Sequence, residues 1–430
     1  MKKYNLRSGL VVAVLLASAS CMAQKSTDDI SVSEVARIEN VLASDSLQGR
    51  AAGSVGIKKA ADFIAAEFRK AGLQPLEGNS FLQEFVMLRP TMKELKFKAE
   101  GVDVDTKNVF VFTSQPELKV DESSGYAVEQ IKAGESFQSK ARQFSHAGKN
   151  TIVLVDTSFA RNFARLGGLK RQLFKSPYTT IFLLGTTLPK EFKLKADHSF
   201  EETKLFNVVG MLPGKSRKNE QVVFSGHYDH LGIGRPLDGD SIYNGANDDA
   251  AGTTAVILLA NHFKKLANNE RTLIFAAFTA EEIGGFGSQY FSQQLNPENV
   301  VAMFNIEMIG TESKWGRNSA YITGYEKTNM GEILQANLQG TGFEFHPDPY
   351  TQQNLFYRSD NATLARLGVP AHTISTAKME GEPNYHKPSD EVKTLDLENM
   401  AQIIKAIAES CKTIVSGKDT PSRVKAESLQ

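Results

Sequence analysis

The chain reads VVFSGHYDHLGIG at 222–234, YNGANDDAAG at 243–252, RTLIFAAFTAEEIGGFGS at 271–288 and VVAMFNIEMIG at 300–310, and these stretches decide its fold. Three of them contain a short, nearly continuous apolar run, which is typical of strands buried on both faces of a parallel sheet. Helical patterns separate the runs, AGTTAVILLANHFKKLAN after the first and EIGGFGSQYFSQQL after the second. Right-handed strand–helix–strand units bring the carboxyl ends to one edge of a sheet. We therefore predict an α/β fold with a mixed, largely parallel central sheet flanked by helices.

Histidine and carboxylate side chains collect where these predicted strands end. They are His227, Asp248, Glu281, Glu282 and Glu307. Ligands of open α/β sheets bind outside the carboxyl ends of the strands, so we expect the five side chains around one site. Imidazole and carboxylate groups are metal ligands, and the sequence therefore predicts a metal centre at this edge of the sheet.

The spacing within this set indicates different tasks for neighbouring residues. His227 and Asp229 are two apart on an extended segment. Their side chains therefore point to the same face, and the Asp229 carboxylate can accept a hydrogen bond from the second ring N–H of a metal-binding His227. Asp248 lies in the turn that opens the next helix, where a carboxylate can bridge two cations. Glu281 and Glu282 are adjacent, so one can bind metal while the other acts on a water as general base.

Composition bounds the class of protein. The chain has 430 residues, which suffices for one large α/β domain with an insertion or for two domains. Lys and Arg together number 49, as do Asp and Glu, so there is no basic excess to attract nucleic acid. Cys21 and Cys411 are the only cysteines. This count excludes a zinc site built from cysteines and argues against an intramolecular disulfide.

The N-terminal residues have the pattern of a secretory signal peptide. A basic start is followed by the apolar run 10–17, which is too short for a stable membrane span, and by small residues. Cleavage after Ala23 suits ordinary signal peptidase, whereas the small residues before Cys21 resemble a bacterial lipoprotein cleavage box. We expect an exported bacterial protein, either periplasmic or secreted, or anchored to the cell envelope through a lipid on Cys21.

The character of the sequence changes along the chain. An amphipathic helical pattern at 55–71 ends at Gly72, whereas 87–200 has strand-like runs and no cluster of metal-type ligands. We interpret this middle segment as an inserted α+β subdomain that shapes a substrate cleft. The predicted division is a signal peptide at 1–23, an N-terminal part of the main domain at 24–86, the inserted subdomain at 87–204, the main domain at 205–416 and a polar tail at 417–430.

Six motifs carry a resemblance to a known family. They are HYDHLG (227–232), NGANDDAAG (244–252), FTAEEIGGFGS (278–288), FNIEMIG (304–310), SDNATLARLGVPA (359–371) and YHKPSDE (385–391). With LQGRAAGSVGIKKAADFIAAEFRKAGLQPL, they resemble the co-catalytic zinc exopeptidases of the bacterial leucyl aminopeptidase and glutamate carboxypeptidase type, to which glutaminyl cyclases and the transferrin receptor are related. The resemblance covers residues 35–86 and 205–415, and it implies the zinc exopeptidase fold.

The resemblance also implies two zinc ions per chain and a role for each matching residue. Carried over by position, these are Asp248 as the bridging carboxylate, His227 and Glu307 in one zinc site, Glu282 and His386 in the other, Glu281 as the general base, and Tyr385 as a hydroxyl that steadies the tetrahedral intermediate. A cis peptide bond between Asp248 and Asp249 is implied as well. Glu307 departs from the family pattern, which usually has Asp at this position, and Asn361 stands where His is common.

The implied activity is the hydrolysis of peptide ends by a hydroxide held between the two zinc ions. The chain shows no arginine cluster for a terminal carboxylate, which favours an aminopeptidase over a carboxypeptidase, although Arg235 and Arg358 lie near site residues in sequence. A one-zinc glutaminyl cyclase and a non-catalytic binding protein are further alternatives, and the full ligand set argues against both. The remaining histidines are interpreted as structural: His146, His198, His230, His262, His346 and His372.

Overall fold

The computed structural model of the chain describes residues 29–425. The predicted signal peptide, with its two cleavage points and Cys21, lies outside the described residues. None of the helices within 29–425 is both long enough and apolar enough to cross a membrane.

Helices and strands alternate along most of the described chain. The helices are α1 Val32–Leu42, α2 Val55–Ala71, α3 Phe137–Ser145, α4 Ala160–Phe163, α5 Ala251–Leu266, α6 Phe286–Gln294, α7 Met330–Asn337, α8 Asn361–Ala365, α9 Leu397–Ser410 and α10 Lys412–Val415. The strands are β1 Gln74–Pro75, β2 Leu82–Ala99, β3 Val102–Asp103, β4 Val109–Phe112, β5 Glu117–Asp121, β6 Ala127–Ile131, β7 Thr151–Val155, β8 Leu173–Phe174, β9 Thr180–Leu184, β10 Phe192–Leu212, β11 Arg217–His227, β12 Gly232–Leu237, β13 Asp240–Tyr243, β14 Arg271–Phe278, β15 Val300–Ile306, β16 Ser319–Ile322, β17 Glu344–Pro347 and β18 Ala371–Ser375.

The centre of the larger sheet is parallel. Strand β11 pairs in parallel with β14 on one side and with β15 on the other, and β15 pairs in parallel with β18. Antiparallel strands flank this centre, because β10 pairs with β14 and β16 pairs with β18 in the opposite direction. The predicted mixed, largely parallel sheet is confirmed, and the carboxyl ends of β11, β14 and β15 meet at one edge.

Burial on both faces of the sheet explains why the sequences of these strands are nearly continuous apolar runs. Every residue of β14 is buried, and the last six residues of β11 are buried as well. Phe224 faces a core shared with α1, α2, α5, α7 and α9, and its ring stacks on those of Phe263, Phe275 and Phe304. The next residue back, Val223, faces a second core with α6 and α8. Helices therefore cover both faces, as parallel sheets require.

The middle of the chain builds a second, four-stranded sheet in the order β4–β9–β7–β6. It is connected to the larger sheet through β2 and β10, two long strands that pair with each other in antiparallel. The domain limits predicted at 87 and 204 fall within these two strands, and they stay a prediction.

One predicted helix begins later than the sequence pattern indicated. The pattern EIGGFGSQYFSQQL suggests a helix from Glu282, but α6 begins at Phe286. Gly284 and Gly285 have φ values of 131° and 67°, in the left-handed region, so they form a turn instead of a first helical turn. The segment between Ala280 and Gly285 is therefore free to present its glutamates at the sheet edge.

We expect Phe224→Ala to lower the free energy of unfolding by about 3–5 kcal/mol, because it removes a buried ring from the aromatic stack beneath the site. Chemical denaturation measures this loss. Tyr178→Ala is the matched control, since Tyr178 is 46% exposed and its loss should change the free energy by less than about 0.5 kcal/mol. Equal effects of the two substitutions would contradict the assignment of Phe224 to the core.

Candidate metal centre

His227 ends β11, and the loop after it fixes the imidazole ring. The ring Nδ1 lies 3.1 Å from the carbonyl oxygen of Asp229, and Nε2 lies 3.3 Å from Asp248 Oδ1. The Asp229 carboxylate was predicted as the acceptor for this ring, but it lies 3.7 Å from Nδ1. It instead accepts hydrogen bonds from the backbone N–H groups of Glu281 and Glu282, at 3.0 and 3.3 Å. Asp229 therefore connects the end of β11 to the turn after β14.

Asp248 lies in the turn that precedes α5. The peptide bond between Asp248 and Asp249 is cis, as the resemblance implied. The carboxylate of Asp390, from the YHKPSDE loop, accepts the backbone N–H groups of Asn247 and Asp248 at 2.8 and 3.0 Å. This pair of bonds joins the turn to a loop more than 140 residues further along the chain.

Asp249 turns its carboxylate away from the cavity and ties the strand ends together. It accepts the backbone N–H groups of His227 and Met308 at 3.1 and 3.0 Å, and that of Gly252 at 3.0 Å. A Cβ atom at Gly252 would lie 2.0 Å from the carbonyl oxygen of Ile306, so only glycine allows α5 to approach β15 this closely. Asp249 thus sets the spacing between residues of β11 and β15.

Two clusters of imidazole and carboxylate groups share Asp248. In the first cluster, ligand-type atoms of His227, Asp248 and Glu307 lie within 4.8 Å of one another. In the second, His386 Nε2 lies 3.3 Å from Asp248 Oδ2 and 3.2 Å from Glu282 Oε2. The structure therefore brings together all five side chains that were expected to bind metal.

His230 joins the second cluster, a position that the sequence pattern did not predict. Its Nδ1 lies 2.7 Å from Glu282 Oε1 and 4.0 Å from Asp248 Oδ2. The interpretation of His230 as a structural residue stays a prediction, but its place beside the cluster was not expected. The HYDHLG motif contained the residue, but a histidine after a strand end has many possible partners.

The site is short of positive charge. Burial raises the pKa of Glu281 well above its usual range, and the neighbouring carboxylates of Glu307 and Asp360 raise it further, while His227 opposes them. Burial likewise raises the pKa of Glu307 to about 7 and that of Asp360 to about 6. Carboxyl groups whose ionisation is this costly stay protonated unless cations beside them stabilise the charged form.

The residues present fit a pair of zinc ions. At usual Zn–N and Zn–O bond lengths, two ligands of a tetrahedral ion are about 3.3 Å apart, as are the atoms that meet at Asp248. Three buried atoms, His227 Nε2, Glu282 Oε1 and Glu307 Oε2, have no hydrogen-bond partner among the described residues. Such atoms are costly unless they bind a ligand. Nitrogen and carboxylate donors also suit zinc.

The two clusters open into one cavity of about 100 Å³. Its walls combine the site carboxylates with hydroxyl and apolar side chains: Asp248, Glu281, Glu282, Glu307, Met308, Tyr321, Thr323, Leu355, Arg358, Ser359, Thr373, Ser375, Ala377, Met379, Tyr385 and His386. The Tyr385 ring stacks on that of His386 at a centroid distance of 3.9 Å. Burial and the carboxylate of Asp248 raise the pKa of the Tyr385 phenol, so it stays a hydrogen-bond donor.

Arg50 is a site-building residue that sequence reasoning missed. The guanidinium is fully buried and donates to the carbonyl oxygens of Tyr228, Asn244 and Gly245 at 2.8, 2.6 and 2.8 Å, and also to that of Leu42. The first three carbonyls belong to the HYDHLG loop and to the turn before Asp248, and that of Leu42 lies at the end of α1. Neither the LQGR segment nor its spacing indicated this contact, because Arg50 and its partners are up to 195 residues apart.

The fold and its paired ligand clusters are similar to those of metallo-exopeptidases. Residues 207–411 match the model of peptidase family M28. Curated relatives include aminopeptidase YwaD from Bacillus subtilis, 23% identical over 406 residues, which span 89% of this chain and 85% of that protein. A probable leucine aminopeptidase from Trichophyton verrucosum is 26% identical over 205 residues, 46% of this chain and 54% of that protein. The chain thus spans about half the length of such fungal relatives.

Solved structures share the fold at low sequence identity. An aminopeptidase from Aneurinibacillus sp. strain AM-1 superposes with a TM-score of 0.53 at 17% identity, over 94% of this chain and 98% of that one. A zinc aminopeptidase from Bacillus subtilis superposes with a TM-score of 0.53 at 19% identity, over 90% of this chain and 95% of that one. These similarities confirm the zinc exopeptidase fold expected from the motifs.

We expect Arg50→Ala to lower the free energy of unfolding by about 3–5 kcal/mol, because it leaves several buried carbonyl oxygens without a donor. Chemical denaturation of the metal-free protein measures the effect on the fold itself. Arg37→Ala is the control, since Arg37 forms a part-exposed pair with Glu67 that should contribute about 1 kcal/mol or less. Comparable losses of unfolding free energy for the two variants would contradict the larger contribution of the buried Arg50 contacts.

Proposed function

We propose that the chain is an exported zinc aminopeptidase, which removes N-terminal residues from peptides with two zinc ions and Glu281 as general base. One observation carries the proposal: two ligand clusters share Asp248 and open, beside Glu281, into a single cavity. The names of the relatives, aminopeptidases in each case cited above, support the same reaction. Export rests on the N-terminal sequence pattern, with a lipid on Cys21 as the alternative to a free periplasmic or secreted form.

The ligand roles follow from the two clusters. Asp248 would bridge the ions, His227 and Glu307 would hold one of them, and Glu282 and His386 would hold the other. Bound zinc would lower the pKa of a water and polarise the carbonyl of the scissile bond.

Glu281 is suited to move the proton. Its backbone N–H is fixed by Asp229, and its carboxylate lies in the cavity wall next to both clusters. A carboxylate held beside bound cations can accept a proton from water and return it to the leaving amine. Tyr385, held as a neutral donor against His386, would give its O–H to the oxygen that gains negative charge.

The charges of the cavity do not by themselves select one end of a peptide, because two bound zinc ions would balance the four carboxylates that line it. The lack of an arginine cluster among the described lining residues favours the amino end. Arg358 is the one lysine or arginine among the described lining residues, and it supports the second candidate, a carboxypeptidase. Its exposed guanidinium donates to Gln353 Oε1 at a long 3.4 Å and has no carboxylate within ion-pair distance among the described residues. It is therefore available to a substrate carboxylate.

We expect Glu281→Gln to reduce kcat by about 10²–10⁴-fold while the zinc content is unchanged, because the amide cannot accept the proton. Steady-state kinetics and metal analysis of the same preparation test this. Glu298→Gln is the control, since the Glu298 side chain is 77% exposed. If Glu281→Gln retained most of the turnover with zinc bound, the general-base role would be wrong.

The reaction class is tested with short peptides that carry either a free or an N-acetylated amino end. We expect release of free amino acids from the unblocked peptides alone, lost on chelation and restored by added zinc. Equal release from both sets would identify the carboxypeptidase.

Two further outcomes concern other classes of protein. Absence of release with zinc bound would contradict both peptidase candidates. One zinc per chain together with cyclisation of an N-terminal Gln would identify a glutaminyl cyclase. A chain that binds no zinc would be a binding protein.

A further inference from the structure

His230 is a buried residue that the proposed reaction does not use, yet its ring faces a metal cluster. It follows β11 by three residues, and its backbone N–H donates to the carbonyl oxygen of Arg50 at 3.3 Å. Only 2% of the residue is exposed. A buried imidazole ordinarily satisfies its two ring nitrogens with protein partners.

The position of the His230 ring is fixed by close packing on the backbone. A Cβ atom at Gly245 would lie 2.5 Å from His230 Cγ, so the ring lies directly against this glycine. Gly245 has φ of 57°, and its carbonyl oxygen accepts a hydrogen bond from the buried guanidinium of Arg50. The ring therefore packs directly against the turn that precedes Asp248.

The contact between His230 and Glu282 is close. Nδ1 and Oε1 are 2.7 Å apart, and the geometry leaves both buried atoms without a well-aligned hydrogen bond among the described residues. Ligand-type atoms of His230, Asp248 and Glu282 also lie within 4.8 Å of one another, as the ligands of one cation do. The other oxygen of Glu282 faces His386 Nε2 at 3.2 Å, so the carboxylate lies between two imidazoles.

The distances to Asp248 agree with a shared ion. His386 Nε2 lies 3.3 Å from Asp248 Oδ2, the spacing of adjacent ligands, and His230 Nδ1 lies 4.0 Å from the same oxygen. Ligand atoms of a tetrahedral zinc ion are about 3.3 Å apart at the usual bond lengths, so the His230 contact is about 0.7 Å wider than that spacing, and a small shift of the ring would close the difference. The two rings approach edge to face, with a centroid distance of 5.7 Å, so neither blocks the other.

We propose that His230 is a fourth protein ligand of the second metal site, beside His386, Glu282 and the shared Asp248. The inference rests on the proposed two-zinc function and adds a ligand to it. It makes the two sites unequal, because the first site has only His227, Glu307 and Asp248. A zinc site with four protein ligands is closed, whereas one with three keeps a position for water or substrate. The second site then binds its ion more tightly, and the first site keeps one coordination position open for water or substrate.

The test is a titration of the metal-free chain with Zn²⁺ alone, in competition with a chromophoric chelator. We expect the wild type to bind two ions with unequal affinity. His230→Ala should weaken the tighter site by about 100-fold, as loss of a direct or supporting ligand does. His230→Asn should weaken it to a similar extent, because the Asn amide can donate to Glu282 Oε1 but cannot replace the ring nitrogen as a ligand. Zinc X-ray absorption should show three imidazoles per two ions in the wild type and two in either variant.

His262→Ala is the control for removal of a histidine, since His262 interacts with Asp29 and does not line the cavity. Circular dichroism and unfolding of the metal-free variants separate a folding defect from a loss of affinity. Retention of wild-type affinity by His230→Asn, or by both variants, would overturn the inference while leaving two zinc ions in place. A wild type that binds no zinc would instead overturn the proposed function, and this inference with it.

Discussion

The constraint on which this structure depends is the burial of many carboxylates around one aspartate. Asp248 is 3% exposed, Glu282 and Glu307 lie near it, and Glu281 and Asp360 add their charges to that of Glu307. Mutual repulsion and the loss of hydration raise the pKa of several of these carboxyl groups. Cations between the carboxylates would offset that cost, and a bridging carboxylate is where two cations could share one ligand. Folding and metal binding would then be coupled at this site.

The site can hold these groups together because its backbone is fixed by a separate set of polar residues. Three buried aspartates accept backbone N–H groups of the loops: Asp249, Asp390 and Asp229. The guanidinium of Arg50 in turn donates to backbone carbonyl oxygens of the loops. Donors and acceptors of the loops are thus paired by side chains that do not face the cavity. This pairing leaves the cavity-facing atoms free for metal and substrate, since the loops do not rely on them for their own hydrogen bonds.

The sequence predicted the parts of the fold that local patterns determine. Continuous apolar runs identified β11, β14 and β15, and their order placed His227 and Glu307 at one edge. His386 could be added only through the resemblance, because nothing local in the YHKPSDE loop points to a site more than 70 residues upstream. The contact of His230 depends on the packing of one ring against one glycine, which no pattern expresses. The start of α6 was misjudged because the residues after Glu282 have helical composition, while the backbone at Gly284 is left-handed.

Strand register explains why Glu307 and Glu281 reach the cavity from different levels of the sheet edge. Within the parallel sheet, Ser225 lies opposite Asn305, so Glu307 comes directly after β15 at the level of His227. The two side chains are therefore neighbours across the sheet edge. On the other side, His227 lies opposite Phe278, so Glu281 extends three residues beyond that level and reaches over the edge towards the cavity. A shift of one residue in the pairing of β11 with β15 would turn Glu307 to the opposite face from His227. The apolar register of the core, rather than any contact within the site, thus places Glu307 level with His227 and Glu281 beyond it.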